Sequence, residues 1–554
     1  MTTQAMARGD AGSDKILEER VGHAIRAIEV FEQAFVPTTI HALLDQQAEA
    51  HGDKCAINIF GRSETASFAE LQRASIDHAQ ALASLGVRKG DRVALMLQNR
   101  IEFLHLWFAI ARLGAVMVAM NIRYTPREIA FVLSDTGAEF AFVDSEVIGD
   151  FQSAAANLPG LAAENIIVVG GTADGHRSLP EVLAAQQQAP VEAEVKPDDL
   201  LSIQYTSGTT GFPKGCMLTH NTAVTFSYQS VIYEQPPYDR YMSANPFFYV
   251  SGQSHFMKTL RHGKTLFMAP RMSSSMFLPW LQEHAIEWCE FPALVLRQPE
   301  ADGAVTALRK VHCFAGWTGE GIEELRAKLG VPGNNNYGMT ETGWITQMPD
   351  GFEETPAEAA FGLRSPLREI RLVGDDGQTV PRGQPGEAWV RGTGVFLGYW
   401  NNAEANAELI EDGWFKTGDL LRQDKLGFYW LVGRKKDMIR RSGENIAARE
   451  VEAVIREIEE ISDVAAVPVR DPVRGEEVKV IIELKPGVDR AQLPVESILA
   501  HAQANLAAFK RPRFIAFIDE LPRTPSSNKV LKRDLVDIPD PLAGCFDAEQ
   551  GRWL

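Results

Sequence analysis

The chain has 554 residues, with 55 basic and 73 acidic side chains and a formal net charge of −18. At roughly 100 to 200 residues per domain it is too long for one simple core. Its 45% hydrophobic and 23% charged content excludes a disordered or fibrous chain. The acidic balance disfavours general binding to nucleic acid or to an anionic membrane, because both need a basic surface. Anionic ligands would therefore need positive groups that are placed locally.

The cysteine pattern and the N-terminus predict a cytoplasmic protein. The cysteines are odd in number and show no CxxC spacing, which disfavours a disulfide framework or a zinc site. They are Cys55, Cys216, Cys289, Cys313 and Cys545. The N-terminus lacks the apolar core of a signal peptide. His105 and Arg112 interrupt the most hydrophobic stretch, residues 104–120, so we predict a buried helix and strand there instead of a membrane span.

The first two-thirds of the chain alternates strand-like and helical patterns. After a polar start, residues 16–35 form a charged amphipathic pattern that predicts a surface helix. RVALMLQ, AVMVAM and FAFVD are strand-like runs, and the helical patterns between them end at Gly114 and Gly137. The alternation returns in TLFMAP, SSMFLPWLQEHAI and WCEFPA. This order predicts a layered α/β fold with parallel strands.

The pattern of predicted strands and helices changes twice towards the C-terminus. From Glu387, short glycine-punctuated strands such as AWVRG, GWFKTGD and GFYWLVGR predict a small β-rich unit. Beyond Arg434, a helix, two strands and an amphipathic helix predict a compact α+β unit. We therefore predict two layered α/β subdomains and the β-rich subdomain within residues 1–433. A small α+β domain follows at residues 434–554.

The segment YTSGTTGFPKG, residues 205–215, follows the strand-like run LLSIQ. Its glycines let the backbone approach phosphate oxygens, its hydroxyls and N–H groups can donate to them, and Lys214 supplies charge. It matches neither the Walker pattern nor GxGxxG. By composition alone, a flexible Ser/Thr/Gly surface loop explains it equally well.

Four further segments decide between these alternatives. They are YGMTETG at 337–343, GWFKTGD at 413–419, GRKKDMIRRSGEN at 433–445 and PRTPSSNKVLKR at 522–533. Together with YTSGTTGFPKG, in this order, they resemble the adenylate-forming superfamily of acyl-CoA synthetases, luciferase-like enzymes and peptide-synthetase adenylation domains. The resemblance covers residues 37–535 approximately. It implies that a carboxylate attacks the α-phosphorus of ATP, and that a thiol then displaces AMP from the acyl-adenylate.

The resemblance assigns a role to residues of each motif. The phosphate loop would hold the β- and γ-phosphates through Thr206, Ser207, Gly208, Thr209, Thr210, Gly211 and the mobile cation Lys214. Glu341, helped by the Thr206 hydroxyl, would face Mg²⁺, which prefers few protein oxygens together with phosphates. Tyr337 would stack on adenine and Thr340 would touch the α-phosphate. Asp419 and Arg434 would bind the ribose.

The C-terminal motifs would serve both half-reactions. Lys529 would reach the α-phosphate and the substrate carboxylate during adenylation, where a compact ammonium suits neutralisation of a transition state. Lys436 would be the hinge about which the small domain rotates. In the rotated state, Arg440 would contact the reaction centre and Gly443 would leave room for the pantetheine arm of CoA.

The acyl pocket departs from the family pattern. Tyr249 in PFFYVSG replaces the usual His, and Trp317 adds bulk where the family has small residues. Gly338 stands where acetate-specific relatives have Trp, which argues against a pocket closed down to acetate. We expect a small to medium acid that is aromatic, branched, unsaturated or carnitine-like, since aromatic faces attract a quaternary ammonium. Packing of these aromatics in the core is an equal alternative.

The resemblance therefore predicts an ATP-dependent carboxylic acid–CoA ligase that uses ATP, Mg²⁺ and coenzyme A. The alternative is a free-standing adenylation enzyme that loads a phosphopantetheinyl carrier protein. We expect small molecules as its partners and neither nucleic acid nor a membrane span, and we keep a homodimer as an option.

Overall fold

The computed structural model describes most of the chain. The described residues are 11–156, 158, 160–185, 193–206, 213–231, 237–313, 317, 319–352, 359–441, 444–472, 474–506, 508–523, 529–536 and 538–554.

The helices are numbered in chain order. They are α1 Ala11–Gln33, α2 Ile40–His51, α3 Phe68–Leu85, α4 Ile101–Leu113, α5 Pro126–Thr136, α6 Ile148–Ala155, α7 Leu179–Ala184, α8 His220–Val231, α9 Val250–His262, α10 Ser274–Glu283, α11 Gly319–Leu329, α12 Ala403–Leu409, α13 Ala448–Arg456, α14 Val495–Asn505 and α15 Arg533–Val536.

The strands of the first two sheets interleave along the chain. They are β1 Cys55–Ile59, β2 Glu64–Ser67, β3 Arg92–Met96, β4 Val116–Ala119, β5 Phe140–Asp144, β6 Ile166–Val169, β7 Arg177–Ser178, β8 Leu200–Thr206, β9 Lys214–Thr219, β10 Arg240–Ser243, β11 Thr265–Met268, β12 Trp288–Glu290, β13 Lys310–Cys313, β14 Gly333–Met339, β15 Gly343–Gln347 and β16 Leu363–Arg364.

The remaining strands form two smaller sheets. They are β17 Glu369–Val373, β18 Pro385–Arg391, β19 Ile410–Glu411, β20 Trp414–Gln423, β21 Tyr429–Arg434, β22 Met438–Arg441, β23 Glu444–Ala447, β24 Ile461–Asp471, β25 Gly475–Leu484, β26 Phe514–Ile518, β27 Phe546–Asp547 and β28 Arg552–Trp553.

Two mixed, mostly parallel sheets make the large N-terminal part. One has the order β7-β6-β5-β3-β4-β8-β9, and the other has the order β16-β15-β14-β13-β12-β10-β11-β1-β2. Helix α4 is buried along most of its length between these layers, and its residues join the largest hydrophobic cluster. This explains why residues 104–120 are so apolar without spanning a membrane. None of the helices in the described part of the chain is long and apolar enough to cross one.

Local signals in the sequence fix several helix ends. Ser67 and Thr125 each form a capping box with a glutamate three residues later, which satisfies backbone N–H groups of the first turn. Helices α4 and α5 end at Gly114 and Gly137, whose φ values of 65° and 59° favour glycine. Both helix ends are where the sequence predicts them.

The C-terminal third contains the two smaller sheets. The β-rich unit has the order β17-β18-β20-β19, with β21 pairing β20. It begins with β17, earlier than the predicted start near Glu387, because β17 pairs antiparallel with β18 along its length. The last sheet has the order β23-β22-β25-β26-β27-β28, with β24 on β25, and helices α13 and α14 pack in its core. The predicted fold class, a large α/β domain followed by a small α+β domain, is confirmed.

Candidate active site

The ends of the phosphate loop are held by the β8–β9 hairpin. Thr206 and Lys214 are register partners in this antiparallel pair, and Thr206 Oγ1 donates to the Lys214 carbonyl at 3.5 Å. The loop residues Ser207, Gly208, Thr209, Thr210 and Gly211 lie outside the described residues. The hairpin therefore delivers the Thr206 hydroxyl and the Lys214 ammonium to the same end of the sheet.

Glu341 is a buried carboxylate in the turn between β14 and β15. Only 6% of the residue is exposed, and burial raises the pKa of its carboxyl group, opposed mainly by a hydrogen bond that Tyr399 Oη donates to Oε1 at 2.8 Å. The Cys216 thiol also hydrogen-bonds this carboxylate, and Cys216 Sγ lies 4.0 Å from Thr206 Oγ1. Thr206 and Glu341 thus both contact the Cys216 thiol, and their shared role at a magnesium ion stays a prediction.

This pair fits a magnesium ion. Carboxylate and hydroxyl oxygens are ligands that Mg²⁺ accepts, and a cation would offset the cost of burying an ionised Glu341. The described residues contain no cluster of three or more His, Cys, Asp or Glu side chains that could hold a metal by themselves. The site therefore suits an ion that takes most of its ligands from phosphates and water.

Tyr399 belongs to the site, although the sequence analysis did not select it. The backbone around it extends β9: Leu397 N–H donates to the Met217 carbonyl at 2.9 Å, and Trp400 N–H donates to the Gly215 carbonyl at 2.8 Å. Its ring lies under Lys214, whose Nζ is 5.1 Å from the ring centroid. Apart from the tripeptide Gly-Tyr-Trp, the sequence around Tyr399 gives no indication of its role, because its contact with Glu341 joins residues 58 positions apart.

A second cluster centres on Asp419. Asp419 on β20 and Arg434 on β21 are register partners, and Arg434 Nε lies 2.9 Å from Asp419 Oδ1. Tyr337 Oη donates to Asp419 Oδ2 at 2.5 Å, and the backbone N–H of Asp419 donates to Thr417 Oγ1 at 3.1 Å. Burial and the nearby carboxylate raise the pKa of Tyr337 well above its ordinary value. Asp419 is therefore a fixed, buried acceptor, as ribose binding would need.

Lys529 faces this cluster from the C-terminal unit. Its loop is closed by a bridge between Arg523 and Val530 and by a hydrogen bond from Leu531 N–H to the Pro522 carbonyl at 2.7 Å. Surrounding protein atoms lower the pKa of the Lys529 ammonium, and repulsion from Arg434 lowers it further, while Asp419 raises it. Lys529 is therefore within electrostatic reach of the Asp419–Arg434 pair.

Comparison with known proteins identifies this arrangement. The family model "AMP-binding enzyme" matches residues 44–400, and the model of the family's C-terminal domain matches residues 450–528. The chain belongs to the AMP-binding enzyme family. It is 30% identical over 509 residues to the 2-succinylbenzoate–CoA ligase of Geobacillus kaustophilus (strain HTA426), covering 90% of this chain and 98% of the relative.

Two further family members extend the comparison. The 4-coumarate–CoA ligase 5 of Oryza sativa subsp. japonica is 30% identical over 516 residues, covering 90% of this chain and 94% of the relative. The crystal structure of the anthranilate CoA ligase AuaEII with anthranoyl-AMP superposes with a TM-score of 0.80 at 25% identity, covering 91% and 98% of the two chains. The resemblance inferred from the five motifs is therefore confirmed.

The predicted acyl-pocket residues of this family member lie at different places. Tyr249 immediately precedes α9, and Asn121 Nδ2 donates to its hydroxyl at 2.9 Å. Gly338 is on β14, where a Cβ would meet the Gly343 carbonyl at 2.5 Å and Trp344 Cε3 at 3.0 Å. The space beside Gly338 is therefore filled by Trp344. Thr340 lies in the next turn, half-buried.

The contacts of Trp317 are those of a residue that packs within the protein. It exchanges two hydrogen bonds with the Asn335 side chain, at 3.0 and 2.9 Å, and its ring meets Phe291 edge-on at 6.2 Å. It packs against the hydrophobic cluster formed with α10 and α11. Its role in the acyl pocket stays a prediction.

The predicted hinge and thioester-state residues are partly described. The backbone of Lys436 lies in a short 3₁₀ turn, Lys435–Asp437, between β21 and β22. Arg440 is on β22 opposite Asn445. The side chains of Lys436 and Arg440, and the whole of Gly443, lie outside the described residues. Their roles also stay predictions.

Proposed function

We propose that the chain converts a carboxylic acid, ATP and CoA into acyl-CoA, AMP and pyrophosphate through an acyl-adenylate. The enzyme class is that of AMP-forming acid–thiol ligases. The observation that carries the proposal is the buried Asp419 carboxylate, which pairs with Arg434 and accepts a hydrogen bond from Tyr337. Glu341 and Thr206 both contact Cys216. In this proposal Asp419 is the ribose acceptor, Glu341 the magnesium-facing carboxylate and Lys529 the mobile cation.

In the first half-reaction a carboxylate oxygen attacks the α-phosphorus, and the bond to pyrophosphate breaks. Mg²⁺, held by Glu341 and the Thr206 hydroxyl, would neutralise phosphate charge when bound. Lys214 would screen the β- and γ-phosphates, with its ammonium steadied over the Tyr399 ring. Lys529 would bring positive charge to the α-phosphate and the attacking carboxylate, two anions that otherwise repel.

Asp419 positions the nucleotide in this scheme. Its buried carboxylate would accept hydrogen bonds from the ribose hydroxyls, with Arg434 and the Tyr337 hydroxyl fixing its orientation. Tyr337 would line the adenine site and Thr340 would contact the α-phosphate. Fixing the nucleotide converts the attack into a step between oriented groups, which accounts for a large share of such rate accelerations.

In the second half-reaction the CoA thiol attacks the acyl carbonyl and AMP leaves. We propose that residues 434–554 rotate relative to residues 1–433 about Lys436, which withdraws Lys529 and presents Arg440 and Gly443. The backbone of Lys436 lies in a short 3₁₀ turn between β21 and β22, which supports this division.

The acid is small to medium in size in our proposal. Gly338 keeps β14 free of a side chain and lies against Trp344, and Tyr249 supplies another aromatic ring at the start of α9. The relatives' names cover 2-succinylbenzoate, 4-coumarate, crotonobetaine or carnitine, and long-chain fatty acids, so they do not select one class. Five cysteines without a disulfide support our assignment to the cytoplasm.

The test is a screen of carboxylic acids with ATP, Mg²⁺ and CoA, read as AMP formation. We expect AMP and acyl-CoA in equal amounts with at least one small or medium acid. A parallel reaction replaces CoA by a phosphopantetheinyl carrier protein and would favour the alternative if only the carrier is acylated. Absence of AMP with every acid would contradict the proposal, and fastest ligation of palmitate would contradict the size class.

A further inference from the structure

Arg368 is a fully buried arginine in the turn between β16 and β17, and only 1% of the residue is exposed. Its Nε donates to the Thr342 carbonyl at 2.7 Å, and its Nη1 donates to the Leu367 and Thr393 carbonyls at 2.8 and 2.6 Å. No carboxylate among the residues that the structure describes pairs with it, and burial alone lowers the pKa of its guanidinium to about 9. Burying a charge without a counter-charge costs free energy. What the guanidinium holds together therefore decides its role.

The backbone before Arg368 is strained. Leu367 has a φ of 63°, which is in the left-handed region that bulky side chains avoid. Its N–H donates to Glu32 Oε1 on α1 at 2.6 Å. Gly392 lies so close that a Cβ there would be 2.0 Å from the Leu367 carbonyl. Strained residues that their surroundings hold in place concentrate at functional sites, and this one immediately precedes Arg368.

Arg368 joins two segments that are distant in the sequence. Thr342 follows Glu341 in the turn between β14 and β15, and Thr393 lies in the segment after β18. The same two segments are joined a second time, because Phe396 N–H donates to the Glu341 carbonyl at 2.8 Å. The guanidinium and this backbone hydrogen bond together fix the turn against the segment.

These segments carry the hydrogen bond between Glu341 and Tyr399. Thr342 is the neighbour of Glu341, and Tyr399 follows Thr393 by six residues, so Arg368 holds the backbone close to both partners of that contact. Within the described part of the chain, Arg368 makes neither a hydrogen bond nor an ion pair with the Glu341 carboxylate itself. Its effect on the carboxylate must therefore pass through the backbone.

The end of the turn packs closely against the same guanidinium. Gly343 has a φ of 68°, and a Cβ there would lie 2.7 Å from Phe226 Cε1 on α8 and 3.2 Å from Arg368 Nη2. The turn thus fits between helix α8 and Arg368. Removing the guanidinium would take away both a wall of this space and the donor to the turn.

We propose that Arg368 is a positioning residue that fixes the backbone carrying Glu341, so that the Glu341 carboxylate is oriented towards a nucleotide-bound Mg²⁺. The planar fork of donors can hold two carbonyls at a set separation, which a single ammonium cannot do. Removing a group that orients a metal ligand typically lowers metal affinity or activity about 10–100-fold. This inference rests on the proposed function, because it concerns the metal-facing carboxylate of that same ligase site.

Calorimetric binding of ATP to the full-length protein tests the proposal without any acid. The dissociation constant of ATP is measured with EDTA and with Mg²⁺, and the ratio of the two constants reports how much the metal contributes to binding. Arg368→Met should lower this ratio at least fivefold. Arg368→Lys keeps the charge but has one donor group, so it should lower the ratio at least twofold and is decisive if Arg368→Met does not fold. An unchanged ratio in the Arg368 variants, or a wild-type ratio of one, would overturn the inference.

Arg100→Met is the matched control. Arg100 is also a buried arginine, but it pairs with Glu102 and with Asp144 of β5, in the other large sheet. Its loss should lower stability without reaching the turn that carries Glu341, and we expect a ratio within twofold of the wild type. An equal fall in Arg100→Met and Arg368→Met would assign the effect to the loss of any buried charge and overturn the inference.

Rates of the two half-reactions give a second readout. In Arg368→Met the Mg²⁺ concentration for half-maximal AMP release should rise at least fivefold. Acyl-CoA formation from a supplied acyl-adenylate should change less than threefold, because that step no longer contains the β- and γ-phosphates. Equal loss of both steps would indicate a general structural role and overturn the inference. No AMP release by the wild type with any acid would contradict the proposed function, while the calorimetric ratio would still decide the role of Arg368.

Discussion

Two residues of the site, Glu341 and Lys529, are buried in surroundings where the charged form of the side chain costs free energy. Burial raises the pKa of Glu341 and lowers that of Lys529, so each group is held in an environment that disfavours its charged form. Such shifts concentrate at sites that bind charged ligands. The bound nucleotide and metal would supply the opposite charges that these residues lack.

Replacing Lys529 tests its assignment to the first half-reaction. Lys529→Ala should lower the rate of adenylation about a hundredfold, because an electrostatic contact made in the transition state is lost. Thioester formation from a supplied acyl-adenylate should change less than threefold. The two steps are measured as pyrophosphate exchange and as acyl-CoA formation. Equal loss of both would contradict the assignment.

The lowered pKa of Lys529 predicts a pH dependence. Lys529 must be protonated to neutralise the α-phosphate, and its pKa in the free enzyme lies below the usual value of about 10.4. kcat/KM for adenylation should therefore fall as pH rises, with a midpoint below that value. In Lys529→Arg the side chain stays protonated, so this alkaline decline should disappear from the residual activity. An identical decline in both enzymes would assign it to another group.

Tyr399 offers a test of the magnesium-facing carboxylate. Tyr399→Phe removes the hydrogen bond to Glu341, and hydrogen bonds to charged groups contribute about 1.5–3 kcal/mol. We expect kcat/KM for MgATP to fall about tenfold or more. Tyr429→Phe is the control, since Tyr429 is also buried but packs on β21 within a separate hydrophobic cluster. Similar losses in both variants would indicate a general effect on packing.

The residues found from sequence and those missed differ in how local their signals are. Glu341, Asp419 and Lys529 lie inside short motifs whose order could be read directly. Tyr399 meets Glu341 only through a contact between segments that are 58 positions apart. No spacing in the sequence encodes such meetings, because they depend on strand register and side-chain direction.

At the scale of elements, the β14–β15 hairpin carries residues that are proposed for both the nucleotide side and the acyl side of the site. Gly338→Ala would place a Cβ 2.5 Å from the Gly343 carbonyl and 3.0 Å from Trp344 Cε3, so the hairpin or Trp344 must move. We expect KM for the acid to rise at least fivefold and the thermal midpoint to fall by about 2–4 °C.

A glycine on the same strand provides the control for that prediction. Gly333→Ala would also be crowded, with Leu325 Cδ2 at 2.6 Å and Cys313 Sγ at 2.8 Å, but on the side of the hydrophobic cluster beneath the sheet. It should lower the thermal midpoint without changing KM for the acid. Equal changes in KM would show that strand distortion, and not the acyl pocket, causes the effect.

Helices and strands could be predicted from the sequence where a clear periodic pattern coincides with a clear end signal. Helices α4 and α5 combine an apolar pattern with a closing glycine, and their ends agree with the prediction. Helix α14 ends at Asn505, whereas the amphipathic pattern continues to Phe509. The β-rich unit begins earlier than predicted because β17 lacks the glycine punctuation of the later strands and is completed by its pairing with β18.

At the scale of the whole molecule, the net charge of −18 does not oppose the binding of anions. Many basic residues near the domain junction are already paired: Arg434 with Asp419, Lys435 with Glu387, and Lys532 with Glu452. Lys214 has no ion-pair partner among the residues that the structure describes, and Lys529 belongs to the C-terminal unit. Positive charge would therefore reach the phosphates from one loop and from the domain that is proposed to move.

The proposed rotation predicts that the two half-reactions can be separated at the hinge. Proline fixes φ at about −65°, which is within the range of a 3₁₀ turn, so Lys436→Pro should stiffen the turn Lys435–Asp437. The fixed φ would oppose the backbone change that a rotation requires. We expect adenylation to change less than fivefold, while thioester formation from a supplied acyl-adenylate falls about a hundredfold. Lys436→Ala leaves the backbone free and should retain both steps. Loss of adenylation in Lys436→Pro, or full thioester formation by it, would contradict a hinge at this position.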